Sequence, residues 1–264
     1  TYLAAAKDVY QEGTLIFPCV QVQRDYDNID DIIRMCRRRI RVPDQWYGDY
    51  LAAMGAARIG ERRLKSFVEK YGAQAVREFI TAWLDYSERR ASGAIQALPG
   101  GSILAKGVHD PIEPFLPDGV HIQVGIEIDS DAGRIKVDLR DNPDSVDAGL
   151  NLTEATATMS AAQAVFCCLD ADIPHNSGSL RRIEVLLREN CVVGIPRFPH
   201  SCSVATTNMT DTIINAILAG FAELGDGYGF SQGNMCNGAG TGVCSGKDWR
   251  VGGAPYVNQR FMSA

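Results

Sequence analysis

Apolar residues recur at helical spacing through the first third of the chain. Between Asn28 and Arg41 they return every three or four residues, and Pro43 ends the pattern. A second helix is predicted over Gln45–Tyr71, where Gly72 provides the C-terminal cap. A third is predicted over Ala73–Leu98, before a Pro-Gly-Gly sequence stops it. The pattern therefore predicts three consecutive helices.

The second and third predicted helices each carry an apolar stripe. Aromatic residues at this spacing are far more often core residues than cofactor contacts, so we expect both stripes to be buried. The stripe residues are Leu64, Phe67, Val68 and Tyr71 in the second helix, and Val76, Phe79, Ile80, Trp83 and Leu84 in the third.

The pattern then changes to strict alternation of apolar and polar residues. His121–Ile128 and Arg134–Arg140 both alternate, which predicts two strands. The intervening Asp129–Gly133 segment has the composition of a hairpin turn, so its carboxylates are expected to serve the turn and not a metal.

Further elements are predicted downstream, and the whole indicates an α+β fold. The helical segment is placed at residues 1–105 and a mixed segment with glycine-rich loops at 106–264, with the boundary near Pro99–Asp118. The downstream elements are a helix over Thr153–Leu169, short strands over Arg182–Leu187 and Cys191–Gly194, a helix marked by Ile214, Ile217, Leu218 and Phe221, a glycine-rich stretch over Gly225–Gly253, and an extended piece over Tyr256–Met262.

The composition and charge of the chain restrict the kinds of binding partner that we expect. The net charge of −6 argues against a nucleic-acid surface, which needs clustered Lys and Arg. The basic run Arg37–Arg39 follows Asp30 and Asp31, an order that complements a helix dipole. No apolar run approaches the roughly 20 residues that a bilayer span needs. We therefore expect neither a nucleic acid nor a membrane as partner.

The eight cysteines are interpreted as reduced and mostly buried thiols. We expect no secretory signal for this chain. It has no Cys-x-x-Cys pair, and Cys167 and Cys168 adjoin within an apolar helical stretch. A cytoplasmic location is expected.

Two glycine-containing motifs suggest chemistry that their context does not support. Gly229–Gly233 matches G-x-S-x-G, but the last histidine, His200, precedes Ser231, so the usual hydrolase order is impossible. Gly238–Lys247 suggests a phosphate loop, but it lacks the required spacing and the Ser or Thr after Lys. A flexible or substrate-facing loop is favoured for the latter.

The remaining candidate features are the four histidines, as metal donors, and one polar loop. The four histidines are widely spaced in sequence, and each is more simply interpreted as a surface or hydrogen-bonded structural residue. The segment Asp172–Ser179 links a helix to a strand, a common place for functional side chains. A turn in which Asn and Ser bond to local backbone groups explains it equally well, so both interpretations stay open.

An ordered set of motifs resembles the hydantoinase B/oxoprolinase family. The motifs run across nearly the whole chain, in family order. They are Asp8–Gly13 with Ile16–Pro18 ("YQEG…IPP"), Gly60–Leu64 with Tyr71–Gly72 ("GERRL…YG"), Asp85–Arg90 ("DYSERR"), Gly149–Asn151 ("G-x-(I/V)-N"), Asp172–Gly178 ("DIP-x-N-x-G") and Gln232–Asn234.

The resemblance implies one component of an ATP-dependent hetero-oligomeric enzyme. A hydantoinase A-type partner subunit would bind ATP and phosphorylate the oxygen of a cyclic amide such as a hydantoin, 5-oxoproline or a lactam. The B-type subunit would then hydrolyse the activated small molecule near a divalent metal. Relatives carboxylate ketones such as acetophenone, and a non-catalytic scaffold subunit is a third hypothesis.

Departures from the family pattern limit these expectations. The family's metal motifs lie N-terminal to the "YQEG" stretch, so the metal ligands are not expected in this chain, which is interpreted as the middle segment of a longer or split subunit. Where many hydantoinases have "DF-x-G-T-S", this chain has Asp138–Asp144, which keeps ketone carboxylation open. No catalytic residue is assigned. The expected substrate-binding residues are Asn151, Asn176, Arg181, Gln232 and Asn234.

Overall fold

The computed structural model describes residues 4–13, 19–229 and 240–262, without the side chains of residues 207, 240–245 and 257–262. Helices and strands both occur, and the predicted α+β class is confirmed. The elements in chain order are β1 Gln23–Arg24, β2 Asp27–Asn28, α1 Asp30–Arg39, α2 Pro43–Tyr71, α3 Ala73–Gln96, β3 Gly101–His109, β4 Val120–Asp129, β5 Arg134–Asp138, α4 Glu154–Cys167, α5 Ser177–Leu180, β6 Ile183–Leu186, α6 Met209–Ala222, β7 Gly240–Asp248 and β8 Ala254–Met262.

The described residues divide into two compact units. One, which we call the sheet unit, contains residues 4–13, 80–229, 240 and 262, and the other, the helical unit, contains residues 19–79 and 241–261. This division differs from the predicted boundary between residues 105 and 106, which falls inside β3. The boundary had been placed near Pro99–Asp118, and a nine-residue strand lies within that segment.

The sheet unit is built on four strands in the order β3-β4-β5-β6. The first two pairings are antiparallel, and β5 pairs with β6 in parallel. Parallel neighbours need a crossover connection, and the chain between them supplies it with α4 and α5. Residues on β4 alternate between buried and accessible, as the sequence predicts for a sheet covered on one face.

Helices α4 and α6 cover the buried face of this sheet. Helix α6 packs on β3 and β4, and α4 packs on α6 and β6. Two glycines permit the close approach of α6 to the sheet: a Cβ on Gly107 would lie 3.0 Å from Thr212, and one on Gly220 would lie 3.0 Å from Ala105. Fully buried side chains such as Ile217 and Phe221 form the interior of this layer.

The C-terminal half of α3 adds a further layer to the sheet unit. Ala91 of α3 packs with Ala162 and Phe166 of α4 and with Ile173 of the following loop. The ring of His175 stacks on Phe166 with centroids 4.5 Å apart. The exposed His175 ring therefore makes a packing contact with α4.

In the helical unit, the short β1–β2 hairpin lies against α2. The Tyr26 hydroxyl donates to the Glu61 carboxylate at 2.9 Å, and the Arg58 guanidinium donates to the Tyr26 carbonyl at 2.6 Å. Helix α1 also packs on α2. Helix α1 begins with two aspartates and ends with three arginines, which confirms the predicted complement to its dipole.

Two predictions of local structure are wrong. The glycine-rich stretch contains β7, which pairs with β8, where a loop had been expected. The chain around Val192 and Val193 forms a turn and not a strand, although both side chains are fully buried. A short run of buried β-branched residues gives the same signal in either conformation.

The predicted burial of the two helical stripes is also largely wrong for the described residues. Val76 is buried, but most of the large side chains are exposed to solvent. Periodicity predicts that a helix has an apolar face and not what covers that face. The exposed members are Leu64, Phe67, Tyr71, Phe79, Ile80 and Trp83.

A helix that crosses a bilayer needs roughly 20 predominantly apolar residues. None of the helices that the structure describes is both long enough and apolar enough to cross a membrane.

Candidate functional site

The loop between α4 and β6 docks on α3 in the sheet unit. A Cβ on Gly178 would lie 2.0 Å from the carbonyl oxygen of Leu84, so only glycine allows this approach. Beside it, the Asn176 Nδ2 donates to the Oγ of Ser87 at 2.8 Å, and that hydroxyl donates to the Trp83 carbonyl at 2.8 Å. Ser87 is fully buried, so the contact is shielded from water.

Ion pairs surround this junction. The Arg181 Nη1 lies 3.1 Å from Asp85 and 2.9 Å from Glu88, and Arg182 lies 2.7 Å from Glu88. The hydrogen bond from Arg181, together with the two positive charges, lowers the pKa of Glu88 below its usual 4.5. Such accessible pairs contribute little energy individually, but together they fix the loop on the helix.

Asn176 and Arg181 thus use their polar groups within the chain. The Asn176 Oδ1 accepts from the Gly178 N–H at 2.8 Å, and its own N–H donates to the Ser179 Oγ at 3.1 Å, which forms a capping box at the start of α5. This geometry matches the turn interpretation of the segment. Substrate contact by Asn176 or Arg181 stays a prediction.

Asn151 lies in the interior of the sheet unit. Its side chain is fully buried. The Nδ2 lies 2.9 Å from each of the carbonyl oxygens of Val146, Ala148 and Ser201, and the Oδ1 accepts from the Val146 N–H at 2.8 Å. Asn151 therefore ties its own turn to the segment around Ser201, and its role as a substrate contact stays a prediction. Gln232 and Asn234 lie outside the described residues.

A second polar region forms where the Asp8–Gly13 segment meets residues 197–203. Backbone hydrogen bonds join the two, from Val9 N–H to the Pro199 carbonyl at 3.0 Å and from Ser201 N–H to the Lys7 carbonyl at 3.1 Å. The side chains collected there have acid–base chemistry. We call Lys7, Glu12, Asp147, His200 and Ser201 the His200 cluster.

The geometry of the His200 cluster leaves one imidazole nitrogen available for proton transfer. The Nδ1 lies 2.7 Å from the Arg197 carbonyl, which assigns the proton to that nitrogen in the neutral ring. The Nε2 lies 3.8 Å from the Asp147 carboxylate, which in turn lies 3.8 Å from the Lys7 Nζ. The Ser201 Oγ donates to the Glu12 carboxylate. An imidazole oriented in this way can accept a proton from water or from a bound ligand.

Cys202 adjoins this cluster but is not suited to act as a nucleophile. Burial, together with the negative charge of Glu12, raises the pKa of its thiol to about 11. The thiol is therefore protonated at neutral pH, and a thiolate is the reactive form.

The sequence had not singled out the His200 cluster. His200 had been interpreted as a surface or hydrogen-bonded structural residue, because the sequence spacing of the histidines alone supplies no convergent set of groups. Lys7, Glu12 and Asp147 are far from it in sequence. The available signal was the resemblance of Asp8–Gly13 to a family motif.

The described residues do not fit a metal site. No group of three or more His, Cys, Asp or Glu side chains in residues 4–13, 19–229 and 240–262 could hold a metal ion. His109, for example, makes its contacts with the Asp110 carbonyl and with Asn208. No step of the chemistry is therefore assigned to a metal held by these residues.

Comparison with known proteins decides the family. Residues 1–258 match the hydantoinase B/oxoprolinase family. The chain belongs to this family. Among its relatives, the B-type subunit of a putative D-/L-hydantoinase from Pseudomonas sp. is 26% identical over 229 residues, which cover 83% of this chain and 38% of the relative.

Two solved structures have the same fold. The ATP-dependent caprolactamase from Pseudomonas jessenii superposes with a TM-score of 0.80 at 20% identity, covering 96% of this chain and 43% of that one. Nucleotide-free acetone carboxylase superposes with a TM-score of 0.73 at 14% identity, covering 83% of this chain and 30% of that one. The chain thus spans less than half the length of each of these three proteins.

In this member of the hydantoinase B/oxoprolinase family, motifs that are distant in sequence meet in space. The "DYSERR" helix receives the "DIP-x-N-x-G" loop through Ser87 and Asn176. The "YQEG" segment lies beside the "G-x-N" turn, because Glu12 and Asn151 both bond to Ser201. The first junction consists of hydrogen bonds and ion pairs within the chain. The second carries accessible acid–base groups and is the candidate active region.

Proposed function

We propose that this chain is part of the B-type subunit of an ATP-dependent complex that opens a cyclic amide. The observation that carries the proposal is the family match over residues 1–258. The likeness to the ATP-dependent caprolactamase, at a TM-score of 0.80, supports it further. The substrate class is a small cyclic amide of the hydantoin, 5-oxoproline or lactam type.

The proposed chemistry divides between two subunits. An amide oxygen is a poor leaving group, and its phosphorylation by an A-type partner subunit that binds ATP converts it into a good one. Water then adds to the activated carbon, and the ring C–N bond breaks as the nitrogen takes up a proton, which leaves an acyl phosphate. A second water hydrolyses the acyl phosphate to the ring-opened acid and inorganic phosphate. In this scheme the Nε2 of His200 accepts the proton that the attacking water loses, and Asp147 stabilises the resulting imidazolium. A divalent metal would belong to the complete subunit, with ligands outside the described residues.

Ketone carboxylation is the second candidate. The likeness to acetone carboxylase, at a TM-score of 0.73, favours it, as does the departure of Asp138–Asp144 from the common hydantoinase sequence. In that case the partner would phosphorylate an enolate oxygen, or activate bicarbonate, before the new carbon–carbon bond forms. A scaffold without catalytic groups is a third candidate.

The experiment combines this chain with an A-type partner and ATP. One set of reactions contains hydantoin, 5-oxoproline or caprolactam, and the other contains acetone or acetophenone with bicarbonate. Release of inorganic phosphate and the mass of the product are measured for each. We expect a ring-opened acid with consumption of ATP. A β-keto acid alone would replace the proposal with the carboxylase, and a partner equally active without this chain would replace it with the scaffold.

A further inference from the structure

Helix α2 has an unusual relation to the rest of the helical unit. It is 29 residues long, and within the part of the chain that the structure describes none of its residues is buried. Within the described residues, the β1–β2 hairpin contacts α2 through Arg58 and Glu61, and α1 also packs on α2. A helix in a folded protein gains most of its stability from tertiary packing of its apolar face, so an exposed apolar face of this length is a candidate for packing against a partner.

The uncovered side carries a regular seam. Its residues alternate spacings of four and three, which is the pattern of the a and d positions of a coiled coil. All of them are exposed, including Leu64 at 58%, Phe67 at 44% and Tyr71 at 51%. We call this set the α2 seam: Ala53, Ala57, Gly60, Leu64, Phe67 and Tyr71.

The α2 seam is divided by size. Its first three residues are Ala53, Ala57 and Gly60, which allow a second helix to approach closely, and its last three are large. An antiparallel copy of the same helix places each small residue opposite a large one. The resulting layers are 53 with 71, 57 with 67, and 60 with 64. In a parallel pair the large residues would instead face one another.

We propose that a second copy of this chain packs its α2 seam antiparallel against this one, about a two-fold axis between Gly60 and Leu64. The seam extends over roughly 27 Å, from the helical rise of 1.5 Å per residue. With the flanking rows, a helix pair of that length buries on the order of 1,200 Å² in total, at the lower edge of stable interfaces. A self-complementary patch is also what a two-fold dimer requires.

One contribution opposes the pairing. Arg63 flanks the seam next to the axis, so the two copies bring their Arg63 side chains towards each other, and like charges at such positions weaken association. Glu61, on the other flank, is engaged by Lys65 and Tyr26 of its own chain. The Arg63→Gln substitution is therefore expected to tighten the dimer, with the larger effect at low salt.

The test is a swap of sizes within one layer. Ala57→Phe alone sets two large rings against each other, and Phe67→Ala alone leaves a gap in the layer. Each is expected to raise the dimer dissociation constant about 10- to 100-fold. The double variant Ala57→Phe with Phe67→Ala restores one large and one small residue per layer, in the antiparallel arrangement only. Dissociation constants are measured by sedimentation equilibrium of the full chain between about 1 and 100 µM.

The matched control is Ile59→Ser, which changes an exposed apolar residue of the same helix outside the seam. Circular dichroism reports whether each variant is folded. A folded wild-type monomer throughout this range would overturn the proposal, including a monomer that dimerises only through another subunit. A dimer unaffected by either single change, or a double variant as weak as the sum of both, would overturn it as well.

Discussion

The Cα of Gly178 lies directly against the main chain of α3, so that a Cβ added there would lie 2.0 Å from the carbonyl oxygen of Leu84. The nearest atoms are backbone and cannot rotate away. The docking of the α4–β6 segment on α3 therefore depends on the absence of a side chain at position 178. This relation makes the junction a sensitive place to test the fold.

Gly178→Ala is expected to destabilise the sheet unit by about 2–4 kcal/mol, because the loop must move off α3 to relieve the overlap. Urea unfolding followed by circular dichroism measures the change. Gly93→Ala is the matched control, since Gly93 lies in α3 with nothing within 4 Å of an added Cβ. That substitution is expected to stabilise the protein by about 0.5–1 kcal/mol. Equal effects of the two changes would contradict the proposed contact.

Asn176→Ala is expected to cost about 1–2 kcal/mol in the free energy of unfolding, because α5 loses its cap and the buried Ser87 hydroxyl loses a donor. Ser87→Ala and the double variant complete a double-mutant cycle, and a coupling of about 0.5 kcal/mol or more is expected. Unchanged stability with a large loss of turnover in the complex would instead favour the substrate-binding role expected from the sequence.

The sequence predicted local structure better than it predicted burial. The period of apolar residues located α1 to α4 and the β4–β5 hairpin, because these patterns are determined within each element. The exposure of Phe67 and Trp83 could not be predicted in the same way, since burial depends on what packs against a stripe. Strand β3 was not predicted, because the chain between Pro99 and Asp118 had been assigned to a boundary between segments. The structure shows a strand there, with Gly107 in close contact with α6.

The candidate functional sites, like burial, depend on contacts between distant segments that the sequence alone does not reveal. A family motif drew attention to Asn176, and Arg181 was also expected to bind substrate. In the structure both residues contact α3. The His200 cluster was missed because its members come from three distant segments. Only the fold brings Glu12 to Ser201 across 189 positions of sequence.

His200→Gln is expected to lower turnover in the assembled complex about 10²- to 10⁴-fold, if its Nε2 accepts the proton from water. The amide side chain cannot take up a proton at neutral pH. His121→Gln, on the exposed face of β4, is the matched control and should leave turnover unchanged. Turnover and the free energy of unfolding are measured together. A loss of turnover that follows a loss of stability would assign His200 a structural role.

Acidification is expected to remove the contribution of Glu88 to stability. Its pKa in the folded protein lies below 4.5, so its ion pairs stabilise the fold above the pKa of the unfolded chain and are lost as pH falls through the folded value. Glu88→Gln should therefore destabilise the protein at pH 7, and the difference from the wild type should shrink as pH falls below 4.5 and through the lowered folded pKa. Urea midpoints between pH 3 and 7 measure this. The exposed Glu223 serves as control, and Glu223→Gln should give a small difference at every pH. A Glu88→Gln difference that persists undiminished at pH 3 would show that the carboxylate charge is not what Arg181 and Arg182 recognise.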